Sequence, residues 1–245
     1  MELQGKVALV TGGAVRVGKA IALALAEAGA DIVLSYNSSA DAAAVTAAEI
    51  EVAGRKALAF RADQSQAEQV TALVEATIDR FGRLDVLVNS ASLWRRTPWQ
   101  ELDEAAWNQL IDINLKGPFL CARIAAPYLA AYGAGAIVNI IDLSAYVPFA
   151  NYMPHSVAKA GLLNMTYALA MELAPAVRVN AIAPGPVLPP PGYSASQIAA
   201  TAHRTLLKRW GAPEDVAQAV VFLARADYIT GAVLPVDGGE RLAAR

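Results

Sequence analysis

Three side chains of different chemistry stand at a spacing that would bring them into one pocket: Asp142, His155 and Lys159. Residues 137–141, just before Asp142, are mostly β-branched and uncharged, which indicates a strand covered on both faces. Pro154 suits the first turn of a helix, and His155 and Lys159 lie four residues apart on that helix, so they share one face. Because α/β sheets bind ligands beyond the carboxyl ends of their strands, we expect an acid, an imidazole and an ammonium group to meet there.

A sheet and its helices must position these residues, and the chain alternates strands and helices along its length. This repetition with short connections predicts a parallel sheet with right-handed crossovers. Strands are predicted at 6–11, 31–36, 56–60, 84–89, 137–141, 178–182 and 232–236. Helices are predicted at 19–28, 41–53, 66–81, 104–114, 117–132, 154–173, 196–207 and 214–224.

The composition restricts the class of protein. Of the 245 residues, 56% are hydrophobic and 17% are charged, which favours a sheet buried on both faces and extensive contact between subunits. The net charge of −2 gives no support for a nucleic-acid surface. No run of about 20 apolar residues predicts a membrane span, and the apolar run near the N-terminus is too short for a signal peptide. The single cysteine, Cys121, fits a reducing compartment, so we expect a cytoplasmic protein.

A glycine-rich turn at residues 11–18 joins the first strand to the first helix. Gly12 and Gly18 would let the backbone turn sharply beside a pyrophosphate, which the helix N-terminus attracts. The second strand is followed by Asn37, Ser38 and Ser39, without the acid that binds the ribose 2′-hydroxyl of NAD. Because a carboxylate would repel a 2′-phosphate and small hydroxyls would accommodate one, the sequence favours NADPH as the cofactor.

These motifs together resemble the short-chain dehydrogenase/reductase family. That family has a Ser, then a Tyr thirteen residues on and a Lys four further; Asp142, His155 and Lys159 hold those positions here. Arg16 replaces the middle glycine of the family's Gly-x-x-x-Gly-x-Gly turn. Arg16, Asp142 and Trp94 together resemble the pteridine reductase branch, although His155 departs from that branch too. The resemblance covers roughly residues 4–240. It implies a single Rossmann-like doubly wound α/β domain over 1–245, with a mostly parallel seven-stranded sheet, helices on both faces and, commonly, a homotetramer.

The resemblance implies roles for further positions. Asn114 matches an Asn that distorts its helix near the catalytic Lys, and Trp94 matches an aromatic ring that covers the nicotinamide. Structural alternatives stay open: a solvated loop residue for Arg16, a turn acid for Asp63 and packing for Trp94. Tyr146, Tyr152 and a substrate loop at about 186–205 would form the far wall of the pocket. The implied cofactor contacts are Gly12, Arg16, Val17, Gly18, Asn37, Ser38, Ser39, Asp63, Gln64, Asn89, Ser90, Ala91, Lys159, Pro184 and Gly185. No metal site is predicted.

The reaction implied by the branch is NADPH-dependent reduction of a pterin C=N bond. Two alternatives stay open: NADPH-dependent reduction of a ketoacyl or enoyl thioester, and an NADPH-binding protein without activity, because the usual Tyr is missing. We expect His155 to donate the proton, with Asp142 offsetting the charge of Lys159, so that an Asp–His pair relays the proton to the substrate. Tyr152 is the rival donor, but it precedes Pro154 and should lie outside the helix.

Overall fold

The computed structural model describes residues 1–190 and 192–243 and has one seven-stranded sheet between two layers of helices. The strands are β1 Val7–Thr11, β2 Asp31–Tyr36, β3 Ala57–Arg61, β4 Val86–Asn89, β5 Gly135–Ile140, β6 Val177–Pro184 and β7 Val233–Val236. The helices are α1 Arg16–Glu27, α2 Ala40–Val52, α3 Ala67–Phe81, α4 Glu104–Ile111, α5 Gly117–Ala130, α6 Met153–Leu173, α7 Ala195–Arg204 and α8 Pro213–Arg225. The strand order is β3-β2-β1-β4-β5-β6-β7, and every neighbouring pair is parallel. This confirms the predicted doubly wound α/β fold.

The sheet is buried on both faces, and β1 shows why its sequence has no polar alternation. Ala8 and Val10 belong to the hydrophobic core that α1 and α8 cover, whereas Val7 and Leu9 belong to the core under α3 and α5. A strand covered on both sides needs an apolar residue at every position. Cys121 lies in the second core, where burial raises the pKa of its thiol to about 12, consistent with a packing role.

The helix predicted at 104–114 is interrupted, and this is the largest difference from the sequence-based prediction. After α4 the chain forms one π-helical turn, Asp112–Lys116, before α5 begins. Pro118 explains the change, because it has no N–H to donate to the carbonyl of Asn114 and its ring would collide with that carbonyl in a regular helix. The wider turn frees the carbonyl of Ile113, which accepts a hydrogen bond of 2.7 Å from the Gln64 side chain.

Smaller differences concern the ends of elements. The helix expected from residue 19 already begins at Arg16, and those expected to reach residues 132 and 207 end at Ala130 and Arg204. The strand expected at 178–182 extends over Val177–Pro184 because it pairs with both β5 and β7. Pro191, inside the expected substrate loop, lies outside the described residues.

A buried line of polar side chains fixes α6, the helix that carries His155 and Lys159, against the sheet. The amide of Asn89 at the end of β4 donates to Asn139 Oδ1 in β5 at 2.8 Å. The amide of Asn139 in turn donates to the hydroxyl of Thr166 in α6 at 3.0 Å. Buried amides are costly unless they are hydrogen-bonded, so this line favours one position of α6 relative to β4 and β5.

Replacing Gly12 by Ala should destabilise the protein more than replacing Gly54 by Ala. Both glycines have positive φ, +64° and +80°, so either alanine costs about 1–2 kcal/mol of backbone strain. A Cβ at Gly12 would also lie 2.8 Å from Ala91 Cα, whereas Gly54 faces open space. We therefore expect Gly12→Ala to lower the free energy of unfolding by about 1–3 kcal/mol more. Urea unfolding measures this, and equal midpoints for the two variants would contradict the close packing of the turn.

Candidate active site

The imidazole of His155 is almost fully enclosed, since only 1% of its side chain is exposed. Its Nε2 lies 2.7 Å from Asp142 Oδ2, and its Nδ1 lies 3.2 Å from the backbone oxygen of Leu93. A carbonyl oxygen only accepts hydrogen bonds, so Nδ1 must carry a proton. The predicted Asp–His pair is therefore present. The Leu93 oxygen binds Nδ1, which leaves Nε2 facing Asp142.

Asp142 lies two residues beyond β5 and caps a short 3-10 turn, Leu143–Ala145. Its Oδ1 accepts from the Ser144 amide at 2.8 Å and from the Ser144 hydroxyl at 2.5 Å, while Oδ2 faces His155. Burial alone would raise the pKa of Asp142. The hydrogen bond with His155 and the positive charge of Lys159 outweigh burial and hold that pKa below the ordinary aspartate value. Asp142 Oδ2 thus faces His155 Nε2 across 2.7 Å, a distance at which one proton lies between the two atoms.

Lys159 is buried four residues after His155, and its ammonium group donates to the backbone oxygen of Ile140 at 2.9 Å. Burial lowers the pKa of Lys159, and the negative charge of Asp142 partly opposes that effect. The expected grouping of an acid, an imidazole and an ammonium group at the carboxyl edge of the sheet is thus present.

Asn114 sits in the π-helical turn, as the resemblance implied, and its side chain binds the loop after β4. Its Oδ1 accepts from the Ser92 hydroxyl at 2.7 Å and from the Leu93 amide at 2.9 Å, and its amide donates to the Leu93 oxygen at 3.0 Å. The Leu93 oxygen therefore receives hydrogen bonds from both Asn114 and His155. Asn114 acts on the site by holding the carbonyl that orients the histidine ring.

An aromatic group covers the imidazole. Trp94 stacks on Tyr152 with ring centres 4.2 Å apart and meets the ring of His155 edge-on at 4.6 Å. Phe149 contacts the other edge of Trp94, at 6.0 Å. Tyr152 precedes α6, as predicted, and the Thr97 amide donates to the Asn151 oxygen at 2.7 Å, which ties together the two loops that carry the stacked rings.

Tyr146 does not join this group. It is about two-fifths exposed, and burial of the remainder raises its pKa. Tyr167 in α6 also raises this pKa, while Arg241 and Asp237 act on it in opposite directions.

The glycine-rich turn has the shape that a dinucleotide phosphate needs. A Cβ at Gly18 would collide with the Gly12 carbonyl, so only glycine allows α1 to begin this close to β1. Arg16 adopts φ +55°, a left-handed conformation that glycine takes most readily, and its Nη2 lies 3.5 Å from the Pro189 oxygen. Arg16 thus reaches towards the expected substrate loop, and the turn fits a bound pyrophosphate.

Several other expected cofactor residues make hydrogen bonds that shape the loops after β3 and β4. The amides of Ser90 and Ala91 donate to Thr11 Oγ at 3.1 Å, which holds the end of β4 beside the turn. Asp63 accepts from the amide and hydroxyl of Ser65, the geometry of a turn acid. The buried side-chain amide of Gln64 donates to the Ala91 and Ile113 oxygens, so its Nε2 supports the backbone beside the turn.

The remaining positions lie where the elements end. Asn37 and Ser38 are exposed after β2, and Ser39 caps α2 without a side-chain hydrogen bond. Val17 is half-buried and packs on the core, which leaves its backbone for any cofactor contact. Pro184 ends β6, and the Gly185 amide donates to the Val236 oxygen at 3.0 Å.

Three contributors to the site were not predicted: the Leu93 carbonyl, Ser144 and Phe149. The role of Ser144 could have been predicted, because an acid two residues before a serine often forms a side-chain turn. The role of the Leu93 carbonyl could not, because every residue has a backbone oxygen and the partner of this one is 62 residues away. Among the described residues, no cluster of three or more metal-ligating side chains occurs, and no helix has the length and apolar character to cross a membrane.

Comparison with known proteins identifies the family of the chain. A family model described as Enoyl-(Acyl carrier protein) reductase matches residues 13–240. The chain is 41% identical to cis-4-hydroxycyclohexanecarboxylate dehydrogenase of Sinomonas cyclohexanicum, over 96% of both chains. It is 39% identical to a 3-oxoacyl-[acyl-carrier-protein] reductase of Synechocystis, over 97% of both chains. The solved structure of a blue fluorescent protein from a metagenomic library, in complex with NADPH, has a TM-score of 0.91 and 35% identity, covering 98% of this chain and 99% of that one. The chain belongs to the short-chain dehydrogenase/reductase family.

Replacing Asp142 by Asn should lower stability at neutral pH and have less effect in acid. The pKa of Asp142 is lower in the folded state than the ordinary value of 3.8, so its charge stabilises the fold above that pH. This contribution, about 1–3 kcal/mol for a charge-assisted hydrogen bond, is lost as pH falls through the folded pKa. Thermal unfolding of both proteins from pH 8 to pH 3 should show a gap that narrows below about pH 4.

The matched control is Asp79→Asn, which removes the same charge from an exposed position of α3. It should change stability little at any pH. A gap between Asp142→Asn and the parent that stays constant down to pH 3 would show that the Asp142 charge is not stabilising.

Proposed function

We propose that this chain is an NADPH-dependent reductase of a carbonyl group, with 3-oxoacyl thioesters as its main substrate class. The observation that supports this best is the short contact between His155 Nε2 and Asp142 Oδ2, 2.7 Å apart at the carboxyl edge of the sheet, which fits a proton shared by the two side chains. Reduction of a carbonyl needs a hydride on carbon and a proton on oxygen, and a bound nicotinamide supplies the hydride. The relatives named above act, by their names, on an oxoacyl or a hydroxycyclohexane compound, so the oxo and hydroxyl pair is common to both.

The proton reaches the substrate through Asp142. The side chain of Asp142 is 21% exposed and that of His155 only 1%, so the carboxylate is the member of the pair that a substrate can touch. The earlier expectation that His155 itself donates is modified accordingly: His155 stores the proton and Asp142 Oδ2 passes it on. The substrate oxygen gains this proton as its carbon accepts the hydride, which gives an alcohol.

The pair must then recover a proton, and its geometry favours that step. With Nδ1–H committed to the Leu93 oxygen, a deprotonated Nε2 would point a lone pair at the Asp142 carboxylate 2.7 Å away. Two acceptors facing each other in a poorly solvated site are unfavourable, so the pair regains a proton before the next turnover. In the reverse direction the same pair would accept the proton of an alcohol.

The positive charge of Lys159 compensates the negative charge of Asp142. Its buried ammonium group favours the ionised form of Asp142, and it has N–H donors beyond the one bound to the Ile140 oxygen. These donors suit the hydroxyls of a nicotinamide ribose. Lys159 thus orients the cofactor and at the same time stabilises the carboxylate that handles the proton.

The choice of NADPH over NADH rests on the loop after β2. Residues 35–39 contain no acid, and Ser38 is exposed where the adenine ribose of a dinucleotide bound at the turn would lie. The NADPH complex of a structural relative supports the same choice.

A tetramer of this chain is part of the proposal. Large apolar side chains remain exposed along the two long helices α5 and α6, which is the arrangement expected of a subunit interface. They are Phe119, Tyr128, Val157, Tyr167 and Met171.

Pterin reduction is the second candidate, because Asp142 and Trp94 favour it. A carboxylate at this position accepts hydrogen bonds from the amino and ring N–H groups of a pterin, which a carbonyl substrate does not offer. The flat stack of Trp94 on Tyr152 would also suit a flat ring. The His155–Asp142 pair could supply a proton to either substrate, so carbonyl reduction stays the first proposal because the relatives named above act, by their names, on oxo and hydroxyl compounds.

Measuring NADPH oxidation with a panel of substrates distinguishes these functions. The panel contains a 3-oxoacyl thioester, an enoyl thioester, a cyclic ketone, dihydrobiopterin and dihydrofolate. We expect turnover with the 3-oxoacyl thioester or the ketone. Turnover with the pterins alone would replace the first proposal by the second. No turnover with any of them, together with intact NADPH binding, would identify a binding protein.

His155→Ala should lose most of the turnover and keep the affinity for NADPH. General acid catalysis contributes about 100-fold or more. Both ring nitrogens of His155 are bound to protein groups, so the side chain has no donor left for the cofactor. The turnover number, followed by NADPH oxidation, checks the first part. The dissociation constant of NADPH, measured by fluorescence, checks the second. Tyr152→Phe is the matched control and should react like the parent; if it lost turnover and His155→Ala did not, Tyr152 would be the proton donor.

A further inference from the structure

Arg61 is an exposed arginine whose position no motif had singled out. It is the last residue of β3, at the carboxyl edge of the sheet, and its Cα is paired in register with that of Tyr36 at the end of β2. Its Nε donates to the backbone oxygen of Asn37 at 3.1 Å. The guanidinium group is thereby held against the first residue of the loop that follows β2.

The remaining donors of this guanidinium group are unused within the described part of the chain. The arginine ion pairs there involve Arg55, Arg83, Arg204 and Arg241. None involves Arg61, and neither Nη atom binds a protein acceptor among residues 1–190 and 192–243. Asp63, the acid next to it in sequence, instead accepts two hydrogen bonds from Ser65. A fixed Nε with two free Nη groups leaves four N–H donors in one plane facing outwards.

The neighbouring loop supplies further donors and no negative charge. Ser38 is exposed, and the hydroxyl of Ser39 is not used to cap α2. Arg16, the other arginine near the cofactor turn, reaches in a different direction, towards the Pro189 oxygen. The loop after β2 therefore receives its positive charge from Arg61 in the neighbouring strand β3, and not from its own residues.

We propose that Arg61 binds the 2′-phosphate on the adenine ribose of NADPH and sets the preference for NADPH over NADH. The inference rests on the proposed function, which places NADPH at the turn after β1. Two Nη groups presented together match the geometry of two phosphate oxygens, and an arginine stays charged at every relevant pH. Ser38 and Ser39 would complete the contacts to the same phosphate.

Titration with cofactor fragments tests the proposal without any catalysis. The probes are adenosine 2′,5′-bisphosphate and 5′-AMP, which differ only in the 2′-phosphate, and the readout is the dissociation constant from calorimetry. Arg61→Gln should weaken the bisphosphate by about tenfold to a hundredfold and leave 5′-AMP unchanged. NADPH and NADH, followed by fluorescence, should differ in the same way.

Two further variants make the result specific. Arg80→Gln removes an exposed arginine from the last turn of α3, away from the carboxyl edge of the sheet, and should affect neither fragment. Arg61→Lys keeps the charge and loses the paired donors, so it should fall between the parent and Arg61→Gln. A loss of bisphosphate affinity in Arg80→Gln equal to that in Arg61→Gln would overturn the assignment, because general charge would then explain the effect.

The outcomes separate this inference from the proposed function. If the parent prefers the bisphosphate and Arg61→Gln keeps that preference, Arg61 is not the phosphate ligand, while the choice of NADPH stands. If the parent binds the bisphosphate and 5′-AMP equally well, the choice of NADPH is wrong, and the role of Arg61 falls with it.

Discussion

The orientation of the His155 ring, and with it the geometry of the site, depends on the hydrogen bonds accepted by the backbone oxygen of Leu93. This oxygen accepts from Asn114 on one side and from His155 on the other, and as a carbonyl oxygen it has no proton to offer. This fixes the proton of His155 on Nδ1 and turns Nε2 towards Asp142. The protonation of the pair is therefore set by a backbone atom in a loop, and everything that positions that loop affects the acid–base chemistry.

That loop is positioned by an irregular helix. Pro118 prevents a regular turn between α4 and α5, and the resulting π-helical turn directs Asn114 to the segment after β4. The carbonyl of Ile113, which the wider turn frees, is satisfied by Gln64 from the opposite side. Gln64 fits there because Gly117 has no side chain: a Cβ on it would lie 2.7 Å from Gln64 Cγ. A proline that widens the helix and a glycine that leaves room beside it thus allow the Gln64 amide to donate to the freed carbonyl.

Features of the fold and of the site could be predicted from the sequence only where they depend on residue type or residue spacing. Regular strands and helices repeat with a period, and the spacing of His155 and Lys159 on a helix is a matter of geometry, so the fold and the acidic, imidazole and ammonium groups were predicted. Tyr152 outside α6 followed from Pro154. The contacts of Leu93 and Gln64 join segments 62 and 49 residues apart through backbone oxygens, which have no residue type to recognise. Arg61 could not be recognised from the sequence for a similar reason: it lies at the end of β3 and contacts the loop after β2 only because the two strands are neighbours in the sheet.

The two departures from the family pattern are best understood as one change. A tyrosine hydroxyl both donates and accepts, so it can work beside a serine. An imidazole whose Nδ1–H is donated to the Leu93 oxygen presents Nε2 to position 142, where a carboxylate accepts a hydrogen bond more strongly than a serine hydroxyl does. Lys159 adds a positive charge four residues away on the same helix, and the carboxylate of Asp142 compensates that charge too. Asp142 thus interacts with both residues at once, since the hydrogen bond from His155 and the charge of Lys159 together lower its pKa. The histidine at position 155 and the acid at position 142 therefore fit each other, and replacing either one alone would leave a buried hydrogen-bonding group of the other without its partner.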